Sequence, residues 1–197
     1  MIAKEDIQLL PRRIAVVTGG TRGLGRAAVL GLARRGIDSI FTYLADGRAA
    51  DDVVADVRAM GRRAVALALD TSDILSFDAF VRRLMQALAE FGTGRFDYLV
   101  NNAGVARHYT FGAADETELD AVYAMHVKGV FFLSHKLSPL INDGGRIVNL
   151  ATGAARGMLP GSAVNDPVNG AIEMLSRSLA RDLQPRRITV DVVASAF

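Results

Sequence analysis

Short runs of β-branched and aliphatic residues alternate along this chain with longer stretches whose apolar positions return every third or fourth residue. Arg13-Ile14-Ala15-Val16-Val17 is the first such run, and Gly19-Gly20 breaks it. The stretch from Arg22 to Arg35 has helical spacing and stops at Gly36, a residue free to take the left-handed turn that follows a helix. The same pair of elements then recurs. Ser39 to Tyr43 predicts a strand, Arg48 to Met60 a helix stopped by Gly61, and Ala64 to Leu69 a third strand ending in Asp70. Phe77 to Phe91 again has helical spacing, Tyr98-Leu99-Val100 predicts a fourth strand ending in Asn101-Asn102, and Glu116 to Leu137 predicts a long helix. Arg146 to Leu150, Val168 to Leu183 and Ile188 to Val193 predict a fifth strand, a further helix and a sixth strand.

Strands separated by helices of this length need crossover connections, and such crossovers are right-handed. The pattern therefore predicts a parallel sheet with helices on both faces. No repeat, linker or low-complexity segment divides residues 12–197, which read as one domain behind a short N-terminal extension, residues 1–11.

Composition narrows the function classes. Half of the 197 residues are apolar and the formal charge is only +2, as expected of a globular protein. Arginine supplies nearly all of the positive charge, Lys4, Lys128 and Lys136 being the only lysines. The pairs Arg34-Arg35, Arg62-Arg63 and Arg82-Arg83 lie far apart and are interleaved with Asp, so they read as solvated helix faces and no nucleic-acid partner is expected. Without cysteine there is no disulfide or thiolate chemistry, and the three imidazoles, His108, His126 and His135, lack metal-ligand spacing, so no metal is expected. Residues 1–11 carry charges where a signal peptide has an apolar core, and no apolar run reaches the ~18 residues of a membrane span. The expected setting is cytoplasmic, away from membranes.

Candidate chemistry begins in Val17-Thr18-Gly19-Gly20-Thr21-Arg22-Gly23-Leu24-Gly25. Glycines at this point let the backbone turn sharply out of a strand, approach a pyrophosphate and open a helix whose N-terminal amides favour negative charge. The motif carries weight because a predicted strand precedes it and a predicted helix follows it. Its spacing is Gly-x-x-x-Gly-x-Gly.

That spacing, together with Asn101-Asn102-Ala103-Gly104 after the fourth strand, resembles the classical short-chain dehydrogenase/reductase family from about residue 12 to the last residue. The resemblance implies a Rossmann-type doubly wound α/β fold with about six parallel strands. It also implies a dinucleotide partner, with Gly19, Gly20, Thr21, Arg22, Gly23, Leu24 and Gly25 around the phosphates. Asp70 and Thr71 would lie on the adenine side, and Asn101, Ala103 and Gly104 on the ribose side. Cofactor choice turns on charge after the second strand, where a carboxylate suits a 2′-hydroxyl and repels a 2′-phosphate. Tyr43 stands there while Arg22 sits in the glycine loop, so NADP(H) is expected over NAD(H). Arg48 reads as the start of a solvated helix.

The resemblance also marks the family's reaction centre. There a serine polarises the substrate carbonyl and a tyrosine passes its proton. A lysine lowers the tyrosine pKa and holds the ribose, and an asparagine on the preceding helix supports a relay. Asn149-Leu150-Ala151-Thr152 follows the fifth strand, and Val164-Asn165-Asp166-Pro167-Val168-Asn169 is similar to the family's Tyr-x-x-x-Lys segment. In this register Thr152 replaces the serine, Asn165 the tyrosine, Asn169 the lysine and His126 the asparagine. Thr152 keeps a hydroxyl. An Asn165 carboxamide has no titratable proton near neutral pH, so it cannot serve as general acid, a role worth roughly 10²–10⁴-fold in rate. Asn169 brings no charge to lower a neighbour's pKa. His126 has a suitable titration range for proton transfer, although a packed histidine is the commoner case. His108 and Tyr109 fall where the family's substrate pocket begins, or on an exposed loop. Tyr123 is expected to pack.

Pro167 suits a helix's first turn and disrupts its interior, so Asn165-Asp166-Pro167 reads as a cap followed by a helix start. Relative to the family the chain is C-terminally truncated, which would leave Ile188 to Val193 as an exposed edge strand, open to pairing. Two functional readings stand at this point. One is an NADP(H)-dependent carbonyl or alcohol oxidoreductase, similar to 3-oxoacyl reductases, acting on a small carbonyl substrate through Thr152 with His126 or a water as proton source. The other is a catalytically silent dinucleotide-binding or oligomerisation subunit. It would assemble into a homo-oligomer through helices 116–137 and 168–183, as the family does.

Overall fold

Four consecutive buried aliphatic residues, Ile14–Val17, form the first strand, β1. Strands buried on both faces belong to parallel sheets covered by helices, and β1 lies in one. The structure is a computed structural model in which residues 12–104, 112, 115–152 and 165–195 are described. In chain order β1 is followed by α1 (Gly23–Arg34), β2 (Asp38–Tyr43), α2 (Gly47–Ala59), β3 (Ala64–Ala68) and α3 (Phe77–Glu90). Then come β4 (Phe96–Asn101), α4 (Glu116–Tyr123), α5 (Val130–Leu137), β5 (Ile141–Thr152), α6 (Asn165–Leu183) and β6 (Thr189–Ser195).

The six strands are hydrogen-bonded in the order β3-β2-β1-β4-β5-β6, and every neighbouring pair is parallel. This is the doubly wound sheet that the periodicity predicts. Strand alternation sends Ile14 and Val16 to one face, against Phe77, Phe80, Leu84 and Leu88 of α3 and Leu133 and Leu137 of α5. Ala15 and Val17 face the other way, against Val29 and Ala33 of α1 and Val53 and Val57 of α2. Chain order reverses between β1 and β4, so the loops leaving those strands diverge and open a crevice at their C-terminal ends.

Three local features differ from the periodicity. The helix expected over 116–137 is interrupted by a π-helical segment, Ala124–Gly129. Gly129 there runs against β3's exit: a Cβ on it would lie 2.1 Å from the carbonyl oxygen of Thr71. β5 begins at Ile141, well before Arg146, because its pairing with β4 shifts register between Phe96 and Tyr98 and so resumes across the Gly144 turn. α6 begins at Asn165, so Pro167 falls in the first turn, where its missing N–H has no helical partner to lose.

The arginine pairs also divide. Arg34, Arg35, Arg82 and Arg83 are exposed at helix surfaces, whereas Arg62 and Arg63 lie in the turn after α2, since Gly61 has already ended that helix. Arg63 bonds Asp38 at 3.0 Å and stacks 4.2 Å over the Phe91 ring, locking the end of the sheet opposite the crevice. Among the described residues β3 and β6 are the two edge strands of the sheet. No helix among the described residues is long and apolar enough to cross a membrane.

Candidate functional site

Hydrogen bonds reach the loop after β1 from both neighbouring strands. The buried Thr18 hydroxyl accepts from the backbone N–H groups of Asn102 and Ala103, each at 2.9 Å. The Asn102 carboxamide answers from the β4 side, its Nδ2 donating to the carbonyls of Thr18 at 2.8 Å and Gly19 at 3.0 Å. From β2, the Thr42 hydroxyl accepts from Gly19 N–H at 3.1 Å and the Thr42 carbonyl from Gly20 N–H at 2.9 Å. Gly19 holds a φ of 68°, in the left-handed region that side chains resist. Gly25 lies so close beneath the loop that a Cβ on it would come within 2.0 Å of the Gly19 carbonyl oxygen. These two positions let α1 start directly under the turn.

The result is a cavity of about 510 Å³ at the C-terminal ends of β1 to β4, within the roughly 300–1,000 Å³ of small-molecule sites. Gly19, Thr21, Arg22, Gly23, Leu24, Tyr43, Asp70, Thr71, Ala103 and Gly104 line it, ten of the thirteen residues the sequence nominates for a dinucleotide. Gly20, Gly25 and Asn101 stand behind the surface. Gly20 backs onto Phe41, Gly25 onto the loop itself, and Asn101 is buried. The cavity also gathers Thr42, Leu44, Ala45, Asp46, Ala49, Leu69, Asn102 and Met125, which no motif marks as lining. A signal existed for Asp46, an acid three residues before Ala49 at a helix start; Met125 carried none.

Polar chemistry on the lining is sparse and directional. Arg22 is the N-terminal boundary residue of α1 and makes no side-chain cap, so the first amides of that helix are not taken up by it. Beside them the α-carbon of Gly23 faces open space. Free first-turn amides, an open backbone and a cation are what a pyrophosphate needs, and the residues present fit that group. Asp70 accepts at one oxygen from the Ser72 N–H at 2.8 Å and the Ser72 hydroxyl at 2.6 Å, which shapes the turn after β3. Asp46 caps α2, accepting from Ala49 N–H at 2.9 Å. Among the described residues no cluster of His, Cys, Asp or Glu could hold a metal ion.

The other end of the crevice is built differently. His126 sits in the π-helical segment, half-buried, with its imidazole against Gly104: a Cβ on Gly104 would lie 2.4 Å from His126 Cε1. The histidine thus borders the cavity wall that Gly104 and the adjacent Met125 line. A π-turn inside a helix often marks a functional position. Asn169 is 6 % exposed on α6. β5 ends at Thr152 and α6 starts at Asn165; the side chains of both lie outside the described residues, as do His108, Tyr109 and residues 1–11. Tyr123 is exposed at the end of α4 rather than packed, and is absent from the cavity lining.

Beneath this end runs a buried chain of amides and hydroxyls. Asn101 Nδ2 donates to Ser134 Oγ at 3.0 Å and Asn149 Oδ1 at 2.8 Å, Asn149 Nδ2 donates to Ser176 Oγ at 2.8 Å, and Ser176 donates to the Ile172 carbonyl at 2.7 Å. It ties β4, α5, β5 and α6 together below the crevice. In the sequence its members are the asparagines near the ends of β4 and β5 and one serine on each of two helices, α5 and α6.

A glycine turn from β1 into α1, opening a crevice where strand order reverses, defines the nucleotide-binding class of doubly wound α/β proteins. Within that class the family model described as short chain dehydrogenase matches residues 13–197, and the chain belongs to this family. It is 32% identical over 186 residues to the short chain dehydrogenase/reductase AacuN of Aspergillus aculeatus, covering 94% of this chain and 69% of that protein. It is 30% identical over 190 residues to a 3-oxoacyl-(acyl-carrier-protein) reductase of Synechocystis, covering 95% and 75%. Among solved structures, a short chain dehydrogenase of Burkholderia cenocepacia in complex with NADP superposes with a TM-score of 0.85 at 36% identity, covering 93% and 73%.

Proposed function

We propose that the protein binds a nicotinamide dinucleotide in the β1–β4 crevice, favouring NADP(H) over NAD(H), and that the family's serine–tyrosine–lysine route to carbonyl reduction is closed to it. The observation that carries this reading is the asymmetry of the crevice. Its phosphate end has a complete hydrogen-bonded backbone cradle, whereas the reaction end offers the uncharged, buried Asn169 on α6. Arg22 on the lining and the absence of an acid at Tyr43 support NADP(H), as does the NADP held by the Burkholderia relative.

The catalytic positions are Thr152, His126, Asn165 and Asn169. Thr152 keeps a hydroxyl able to donate to a carbonyl, and His126 borders the cavity beside Gly104. Turnover of a small carbonyl substrate would therefore depend on Thr152 with His126 or a water as proton source. Self-association through 116–137 and 168–183 is supported by exposed Leu119, Tyr123, Phe131 and Met174 on those elements. The cytoplasm is the proposed setting because nicotinamide dinucleotides are intracellular metabolites.

Fluorescence titration with NADPH and NADH, followed by a ketone panel, tests the proposal. Saturable NADPH binding without turnover is the expected result. Absence of binding would remove the dinucleotide reading. Turnover that a Thr152→Ala substitution abolishes would remove the catalytic silence.

A further inference from the structure

We infer that the end of the sheet opposite the crevice is a docking face for an acidic segment of a partner protein, with Arg187 as its exposed anchor. In a parallel sheet every strand starts at that end, and here the starts are marked by arginine: Arg12 and Arg13 before β1, Arg63 before β3, Arg95 before β4, Arg186 and Arg187 before β6. The acids at these starts are already engaged. Asp38 takes Arg63 at 3.0 Å, Asp143 takes Arg186 at 2.9 Å, and Asp97 accepts from Ile14 N–H at 2.8 Å and Asn142 Nδ2 at 3.1 Å. Arg34 and Arg58 add charge to the same end from the last turns of α1 and α2, where the helix dipole favours a cation. That reason does not extend to Arg12, Arg13 or Arg95, which stand on no helix end.

Two features leave this positive charge open to a ligand. Arg95 Nη1 and Arg186 Nη2 both donate to the Ile141 carbonyl, the first at 3.2 Å. Two like charges thus converge on one neutral acceptor, and each guanidinium keeps further N–H donors in the fork that matches a carboxylate. The second feature is Arg187. After α1, α2 and α3 the chain turns toward the next strand through a left-handed glycine, Gly36, Gly61 and Gly92, at φ of 80°, 72° and 79°. After α6 the same turn is made by Arg187, at φ 55°. A side chain resists that region, and the exposed Arg187 guanidinium makes no hydrogen bond or ion pair among the described residues that would offset the strain. Strain held without internal compensation points to a use outside the fold. A polypeptide suits the face better than a polyphosphate. Asp38, Asp97 and Asp143 interrupt the arginine row and repel a continuous line of phosphates, whereas an extended peptide sets its acids on alternate residues, about 7 Å apart, with neutral residues between.

A fluorescein-labelled hexaglutamate peptide is the probe, followed by anisotropy in low salt with wild type, Arg187→Gly and Arg34→Gln, and with thermal melts alongside. Wild type is expected to bind it, with an affinity that falls as salt is raised. Arg187→Gly is expected to weaken binding about fivefold and to melt no lower than wild type, because glycine suits the turn. Arg34→Gln removes an equal charge from a helix end and is expected to change binding by less than about twofold. No binding by wild type, or equal losses in Arg187→Gly and Arg34→Gln, overturns the inference. Tighter binding of a labelled oligothymidylate or of phosphatidylserine vesicles than of hexaglutamate overturns the acidic protein as occupant. Should Arg187→Gly melt early, Arg187→Asn, which also tolerates the left-handed turn, is read by the same comparison.

Discussion

On the β1–β3 side of the crevice the groups that face a ligand belong largely to the backbone, whereas on the β5–α6 side any chemistry must come from side chains. The first side is held by side chains that support the backbone: Thr18, Thr42 and Asn102 spend hydrogen bonds on the loop that carries Gly19. A backbone cradle survives sequence change wherever its supports survive. The second side is supported just as firmly, through Asn101, Ser134, Asn149 and Ser176, but what it supports is a row of positions whose chemistry is set residue by residue. An intact scaffold there says nothing about an intact reaction.

The largest expected effect breaks the comparison from the reaction side. If the proposed loss of the tyrosine–lysine route is right, the double variant Asn165→Tyr, Asn169→Lys raises NADPH-dependent ketone reduction by roughly 10²-fold or more, the worth of a positioned general acid. Steady-state assay against the same ketone panel checks it, and a rate equal to wild type would detach the silence from these two positions.

Next, Gly25→Val attacks the phosphate side, since its Cβ would lie 2.0 Å from the Gly19 carbonyl oxygen and 2.4 Å from Asn102 Nδ2. Overpacking of this kind destabilises by about 3 kcal/mol. Urea unfolding should show it, with NADPH binding lost; a variant that binds normally would mean that the cradle tolerates displacement.

Asn149→Ala then separates scaffold from ligand. Removing the middle of the buried chain leaves Asn101 and Ser176 short of a partner, at about 2 kcal/mol. Stability should fall in denaturant while NADPH affinity stays near wild type, because Asn149 lies beneath the other end of the crevice.

The smallest effect lies outside both sides. Lys136 of α5 bonds Asp78 of α3 at 2.5 Å, and this hydrogen bond, then the lysine charge, holds the Asp78 carboxyl below its ordinary value. A lowered folded-state pKa means that the pair's stabilisation is present above the unfolded value of about 3.9 and is lost as pH falls through the lower folded one. Asp78→Asn should therefore slightly flatten the acid limb of the stability curve, measured by melts between pH 2 and 6, and leave dinucleotide binding untouched.

Much of the architecture was legible because the determinants are local and periodic. Ile14 to Val17 and Ile188 to Val193 announce strands by composition, and the glycines at 36 and 61 stop helices where the periodicity ends. The π-helical turn at Ala124–Gly129 was not legible; it sets Gly129 against Thr71, a contact between different elements. Nor was the early start of β5, which depends on a register shift against β4. In the crevice, Arg22, Asp70 and Gly104 could be nominated from their motifs. Leu44, Asp46 and Met125 reach the cavity only through the path of the turns that hold them.

By itself, then, the sequence determined the alternation of strands and helices, the glycine turn into α1 and the identity of the residues at 126, 152, 165 and 169. Each of these follows from residue type and spacing within a few turns of chain. Tertiary structure alone decided that Asp46 shares a cavity with Arg22, that the His126 imidazole lies against Gly104, and that Asn101 looks inward to Asn149 rather than out to the crevice. Those relations join residues 24, 22 and 48 positions apart. Their distances are set by how strands pair and helices pack, which no local pattern encodes.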